Sequence, residues 1–160
     1  MGMLKTNQSK QTKTKTNMGN IDKLLTINET IIYQTKLNWT EYIRGIFFII
    51  LGLLFGSYGA ILIIIGILTL GISYFKIRSS EFVVTDKRVL IKVGILKTRS
   101  LETMLNKIEG IHVAQGIIGK MVNSGSIMVI GTGGTKNPFS NIDNPFEFRK
   151  AVNEQISKLQ

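Results

Sequence analysis

Few side chains in this sequence are equipped for chemistry. There is one histidine, His112, and no cysteine. Disulfides and thiolate metal sites are therefore excluded, and no second ligand stands at metal spacing. A nucleophile–histidine–acid set would have to use His112, which sits in a strand-like run between Ile111 and Val113. That setting suits a structural histidine better than a base. Gly131-Thr-Gly-Gly-Thr-Lys136 invites comparison with a phosphate loop, yet it lacks the G-x-x-x-x-G-K-[ST] spacing and opens no helix. It reads as a turn that ends a strand, and Gly116 to Lys120 fails the same test. The expectation is no enzyme, no metal and no cofactor.

Charge is the stronger signal. The chain carries a net +10, and residues 76–160 hold 13 Lys/Arg against 7 Asp/Glu. Lys87 and Arg88 in the Asp86-Lys87-Arg88 turn, Lys92, Lys97 and Arg99 on adjoining strands, and Lys76 and Arg78 after an apolar stretch are the candidate lipid- or partner-binding residues. Together they would make one basic surface near anionic headgroups, each cation contributing about 1 kcal/mol. The plainer reading is a set of solvated strand-edge cations that discourage edge pairing. Nucleic acid fits the charge, but no stacking aromatics alternate with basic residues on the strands. Phe82 and Phe139 read as core, so a nucleic-acid partner is not expected.

The element that must position these cations is the stretch Gly45 to Phe75, which contains no charged residue. An apolar run longer than about 18 residues belongs in a membrane. As one helix it would be roughly 45 Å long, against a hydrocarbon core of about 30 Å. The excess predicts a fold-back, and Phe55-Gly56-Ser57-Tyr58-Gly59-Ala60 supplies the residues for a tight turn. Basic flanks on both sides support the same hairpin, because Lys/Arg-rich flanks stay in the cytoplasm. The alternatives are a single tilted helix and a re-entrant loop. Trp39, Tyr42 and Arg44 are the expected interface residues, with Arg44 snorkelling and the aromatics forming a belt. Gly52 and Gly56 form a G-x-x-x-G that suits close helix approach within the hairpin or between copies.

On either side the pattern differs. Residues 1–22 are polar, basic and repetitive, a tail expected to be disordered. Residues 23–38 read as an extended segment, with Ile31 and Tyr33 on one side. After residue 78 come short period-two runs: Glu81–Thr85, Arg88–Val93, Ile95–Leu101, Leu105–Val113 with an irregularity at Gly110, and Ser126–Ile130. Gly116–Val122 reads as a loop or one helical turn. The C-terminal helix has Asn144 as expected N-cap, Pro145 at the first position and Glu147 completing a capping box. Phe148, Val152, Ile156 and Leu159 lay an apolar stripe along it. Short strands followed by one amphipathic helix describe an α+β domain, a small barrel or curled sheet with a helix packed against it.

The run from Glu81-Phe-Val-Val-Thr-Asp-Lys-Arg-Val-Leu-Ile to Gly94-Ile-Leu, then Leu105-Asn-Lys-Ile-Glu-Gly-Ile-His-Val, Gly119-Lys-Met-Val-Asn-Ser-Gly-Ser-Ile, Gly131-Thr-Gly-Gly and Asn144-Pro-Phe-Glu-Phe resembles the bacterial pleckstrin-homology (PH) domain family. The likeness covers about residues 78 to 157. Upstream, Leu24-Leu, Asn28-Glu29, Tyr33 and Trp39 before an apolar hairpin are similar to the membrane-anchored members, with Asn38 where many of those have histidine. The resemblance implies a PH-like curled antiparallel sheet closed by the C-terminal helix, facing the bacterial cytoplasm; it does not imply a catalytic activity, and self-association is a property of some relatives. The expected organisation is a tail at 1–22, an extended segment at 23–38, a two-helix transmembrane hairpin at 39–77 and a PH-like domain at 78–160. The expected function is binding or scaffolding at the cytoplasmic membrane, both termini inside, toward a protein partner or anionic lipid. The competing expectation is a structural membrane oligomer assembled through the hairpin and capped by the domain.

Overall fold

The apolar stretch folds back on itself. The computed structural model describes residues 29–95 and 98–159; the expected tail at 1–22, residues 23–28 of the extended segment and Lys97 lie outside them. Helix α1 spans Ile43–Leu54, a 3-10 turn occupies Gly56–Gly59, and helix α2 spans Ala60–Arg78. The reversal starts at Gly56, whose φ of 55° is a left-handed conformation that glycine enters without a Cβ clash. One continuous helix is thereby ruled out.

Glycine also sets how closely the two legs pack. A Cβ on Gly59 would lie 1.7 Å from the Gly52 carbonyl oxygen, and one on Gly66 would lie 2.5 Å from Ile49 Cγ1 and 3.0 Å from the Gly45 carbonyl oxygen. Gly52 thus faces Gly59 and Gly45 faces Gly66, small residues that let antiparallel backbones approach. Gly56 is spent on the turn, so the G-x-x-x-G reading of Gly52 and Gly56 names only one of the true contacts. The legs differ in length. Helix α2 has 19 residues, about 28 Å, and α1 has 12, about 18 Å. Among the described residues α2 alone is long and apolar enough to cross a membrane by length and composition.

Two antiparallel sheets follow. The first orders β1 (Ile31–Thr35), β2 (Glu81–Thr85), β3 (Arg88–Val93) and β4 (Arg99–Met104); the second orders β5 (Ile108–Ala114), β6 (Ser124–Gly131) and β7 (Thr135–Asp143). Their inner faces and helix α4 (Pro145–Leu159) enclose one core, with Phe82, Ile91, Leu105, Ile127, Ile142, Phe148 and Val152 almost wholly buried. Phe82 meets Phe139 and Phe148 edge-on, ring centroids 5.9 and 6.3 Å apart. Strand β2 is buried along its whole length, because Phe82 and Val84 face this core while Val83 packs with Leu90 and Ile31 on the other side of the sheet.

Strand β1 changes the domain boundaries. It pairs antiparallel with β2, Gln34 opposite Val83 and Thr35 opposite Phe82, and Leu37 is 4% exposed in the core. The domain therefore includes residues 29–38 as well as those after 78, and the helical pair is inserted between its first two strands. The expected extended segment supplies the first strand of the sheet, but the irregularity between Ile31 and Tyr33 puts them on opposite faces, Tyr33 half-buried against the core and Ile31 half-buried beside Val83 and Leu90.

Two local expectations are corrected. Helix α4 begins at Pro145 as the sequence suggests, and the Asn144 carbonyl accepts its first bond from Phe148 N–H at 3.2 Å, but Asn144 has φ 49°. That conformation swings its side chain toward Asn123, whose Nδ2 it accepts, and toward Asp143 Oδ2, to which it donates at 2.8 Å. Strand β7 was not expected at all. It is an edge strand, where Pro138 loses no ladder bond the sheet requires. The Gly131–Gly134 segment is the β6–β7 turn, with Gly133 and Gly134 at φ 86° and 75°, as its composition indicates.

Candidate membrane-facing end of the domain

Both legs of the helical pair are fastened to the same end of the domain. On the entry side, Asn38 is 2% exposed and fully engaged. Its Nδ2 donates to Asp143 Oδ1 at 2.7 Å and to the Val122 carbonyl at 3.2 Å, and its Oδ1 accepts from Thr40 N–H at 3.1 Å. Its own N–H donates to the Asn141 carbonyl at 2.7 Å. The last of these side-chain bonds caps the 3-10 turn Trp39–Tyr42 that leads into α1.

One turn on, the Glu41 carboxylate gathers two donors and a further cation. Lys76 Nζ lies 2.9 Å from Oε1, Asn141 Nδ2 donates to the same oxygen at 2.7 Å, and Arg44 stands 3.6 Å from Oε2. The Glu41 carbonyl accepts from Ser73 Oγ at 3.1 Å. This carboxylate therefore joins the base of both legs to β7. Asn141 reaches it because β7 bulges between its pairings with Gly125 and Ile127 and Asn141 itself turns left-handed at φ 58°. On the exit side, Ser80 Oγ donates to the Lys76 carbonyl at 2.6 Å and accepts from Gly94 N–H at 3.3 Å, and Ile77 packs onto the core.

These contacts locate the candidate cations. Gly94 opens the β3–β4 turn, so that turn lies at the end of the domain where α2 leaves the helical pair. Lys92 lies opposite Glu81 and Arg99 opposite Val93, so both stand at this end, with Arg78 exposed on the last turn of α2. Lys76 is here too, but held by Glu41. Lys87 and Arg88 are not. They lie across the length of β2, five residues at about 3.3 Å each, at the opposite end of the sheet from Ser80. The six described cations thus divide between two ends, and the expected single surface is not formed.

Arg88 has a different task. Its Nε donates to Glu29 Oε1 at 2.8 Å and its Nη2 to Oε2 at 2.7 Å, while Nη1 meets Glu102. The Glu29 side chain is wholly buried and that of Arg88 is 12% exposed. The bidentate bond to Glu29 holds the guanidinium above its ordinary pKa against the opposing effect of burial. Arg88 is a clamp between the residues before β1 and the β3–β4 pair, and it is not offered to a ligand. Trp39 and Arg44 are exposed and Tyr42 half-buried at the entry to α1, with Tyr74 and Phe75 exposed on α2. His112 is exposed on β5 opposite Met128.

Asn38, Glu41 and Asn141 are the residues that reading the sequence missed as a unit. Glu41 did give a signal, an acid three residues before Arg44 at the edge of an apolar run. Asn141 gave none, since its reach depends on a bulge.

Two antiparallel sheets and a C-terminal helix are compatible with the PH-like α+β fold that the sequence likeness implies. The decisive comparison is with family models: the bacterial PH domain model matches residues 45–156. The chain belongs to the bacterial PH domain family. The matched stretch begins inside α1, so in this bacterial PH domain it takes in most of the helical pair as well as β2 to β7. No curated protein matches the chain.

Proposed function

We propose that this bacterial PH domain is anchored in the cytoplasmic membrane by α1 and α2 and serves as a binding or scaffolding module at the inner surface. The observation that carries the reading is the uncovered apolar surface of the helical pair. Phe47, Leu53, Leu54, Ile61, Ile67, Leu68 and Ile72 are all exposed, and only 11% of the apolar stretch of α2 is buried. Soluble proteins do not leave a contiguous apolar patch of this extent in water, and lipid is the solvent that covers it. Because the two legs start and end at the same end of the domain, the domain stands on one side of the bilayer. Basic residues flank both legs, which favours the cytoplasmic side.

Arg78, Lys92 and Arg99 then lie nearest the headgroups and supply the attraction for anionic lipid, leaving the far end with Lys87 for a protein partner. The four facing glycines are consumed in packing α1 on α2, which removes the specific support for assembly through the hairpin. The test is a topology assay on the full chain with reporters at each terminus, combined with alkaline extraction of membranes. Both reporters should read cytoplasmic and the protein should leave the membrane only with detergent. Reporters in opposite compartments, or release by alkali, overturn the proposal.

A further inference from the structure

The β5–β6 connection carries helix α3, Ile117–Met121. Ile117, Ile118 and Met121 are 85%, 70% and 83% exposed. Outside the helical pair, no other large apolar side chains among the described residues stand so far into solvent. This exposure is built in. Gly119 lies so close to β6 that a Cβ there would meet the Ser124 carbonyl oxygen at 2.4 Å. Gln115 Nε2 donates to the Gly119 carbonyl at 3.2 Å, and the Val122 carbonyl accepts from Asn38. The helix is held from behind while its apolar side chains face away.

The helix lies next to the start of α1. A cleft of about 270 Å³ between α3 and the start of α1 is lined by Thr40 and Ile43 on one side and by Ile118, Gly119 and Val122 on the other. Thr40 and Ser124 hydroxyls stand 3.5 Å apart. Ile118 of α3 therefore shares this cleft with exposed Ile43, where the chain enters the helical pair, and Ile117 and Met121 stand exposed on the same short helix. Lys120 is exposed among them, and residues 114–124 contain no acid. Apolar side chains with a cation at a membrane surface seat in the headgroup–acyl boundary.

We infer that α3 is a third point of lipid contact, a foot that inserts its isoleucines and methionine into the inner leaflet beside α1. This rests on the reading of α1 and α2 as the anchor. With the two legs it makes a contact that is no longer along one line, and the domain is fixed in tilt.

The chain has no cysteine, so single-cysteine variants of the full chain report cleanly. Ile117→Cys, Met121→Cys, Leu68→Cys and Lys150→Cys, each carrying a fluorophore, are reconstituted in vesicles of phosphatidylethanolamine and phosphatidylglycerol. Quenching is measured with aqueous iodide and with lipids spin-labelled at shallow and deep positions. Positions 117 and 121 are expected at about 5–10 Å below the headgroups, with 68 deeper and 150 quenched by iodide alone. Iodide access at 117 and 121 equal to that at 150, with 68 still deep, overturns the foot and leaves the anchor standing. Shielding of 117 and 121 from both iodide and lipid labels overturns it in favour of a second copy of the chain. Iodide access at 68 sinks the anchor, and the foot with it.

Discussion

Replacing Glu41 with glutamine tests whether one carboxylate couples the helical pair to the domain. Lys76 Nζ and Asn141 Nδ2 both approach Oε1, at 2.9 and 2.7 Å. Glutamine keeps the shape and one acceptor oxygen, so Asn141 retains a partner and the loss is mainly of charge. A hydrogen bond to a charged group contributes about 1.5–3 kcal/mol when buried, whereas an exposed ion pair contributes about 0–1 kcal/mol. The side chain of Glu41 is 5% exposed, that of Lys76 32% and that of Arg44 73%. Arg44 therefore adds little, and the variant should lose about 1–2 kcal/mol. With a urea slope of about 1.5 kcal/mol per molar, the unfolding midpoint falls by roughly 1 M. Trp39 is the sole tryptophan and lies in the same 3-10 turn, so its emission in lipid nanodiscs reads the joint directly. Lys76→Met supplies the second arm of a double-mutant cycle, with an expected coupling of about 1 kcal/mol. An unchanged midpoint for Glu41→Gln, or full additivity with Lys76→Met, would refute the coupling.

Other perturbations probe other layers. Phe148→Ala removes a wholly buried ring packed against Phe82 and Tyr33 and should cost about 3–5 kcal/mol, measured as loss of cooperative thermal unfolding of the domain. Gly59→Val places a Cβ where only 1.7 Å separates it from the Gly52 carbonyl oxygen. Ordinary carbon–oxygen contacts need about 3.3–3.6 Å, so spin labels at Phe47 and Leu68 should move apart by roughly 2 Å. Burial, then the charges of Glu147 and Asp143, raise the Tyr33 pKa above its ordinary value. The folded state thus keeps the phenol proton longer than the unfolded chain, and this stabilisation is present below the unfolded pKa and lost as pH rises through the folded one. Tyr33→Phe should flatten that alkaline decline in a urea series; an unchanged slope would assign it to other groups.

Much of the fold was legible because its signals are local. The apolar stretch, the Asp86–Lys87 turn between β2 and β3, the irregularity at Gly110 and the start of α4 at Pro145 are each set by a few adjacent residues. Strand β7 was hidden because Thr135–Asp143 is polar and contains Pro138, and only its pairing with β6 makes it a strand. Strand β1 was seen as extended, but its membership of the sheet depends on β2, which lies beyond the helical pair. The candidate site was harder for the same reason. A cation in the sequence carries its charge but not its partner, and Arg88 looked available until Glu29 and Glu102 were placed around it. Nothing near Asn141 in the chain announces that it will meet Glu41.

The insertion of the helical pair between β1 and β2 also dictates an order of events during synthesis. Ile31 must wait for Thr85 to emerge, so the first strand leaves the ribosome with its neighbour still unmade and the greasiest part of the chain next in line. The first sheet cannot close until the helical pair has been made and the chain has come back to supply β2. Until then β1 has no partner strand, so a chain cut short within the helical pair would present an unpaired edge.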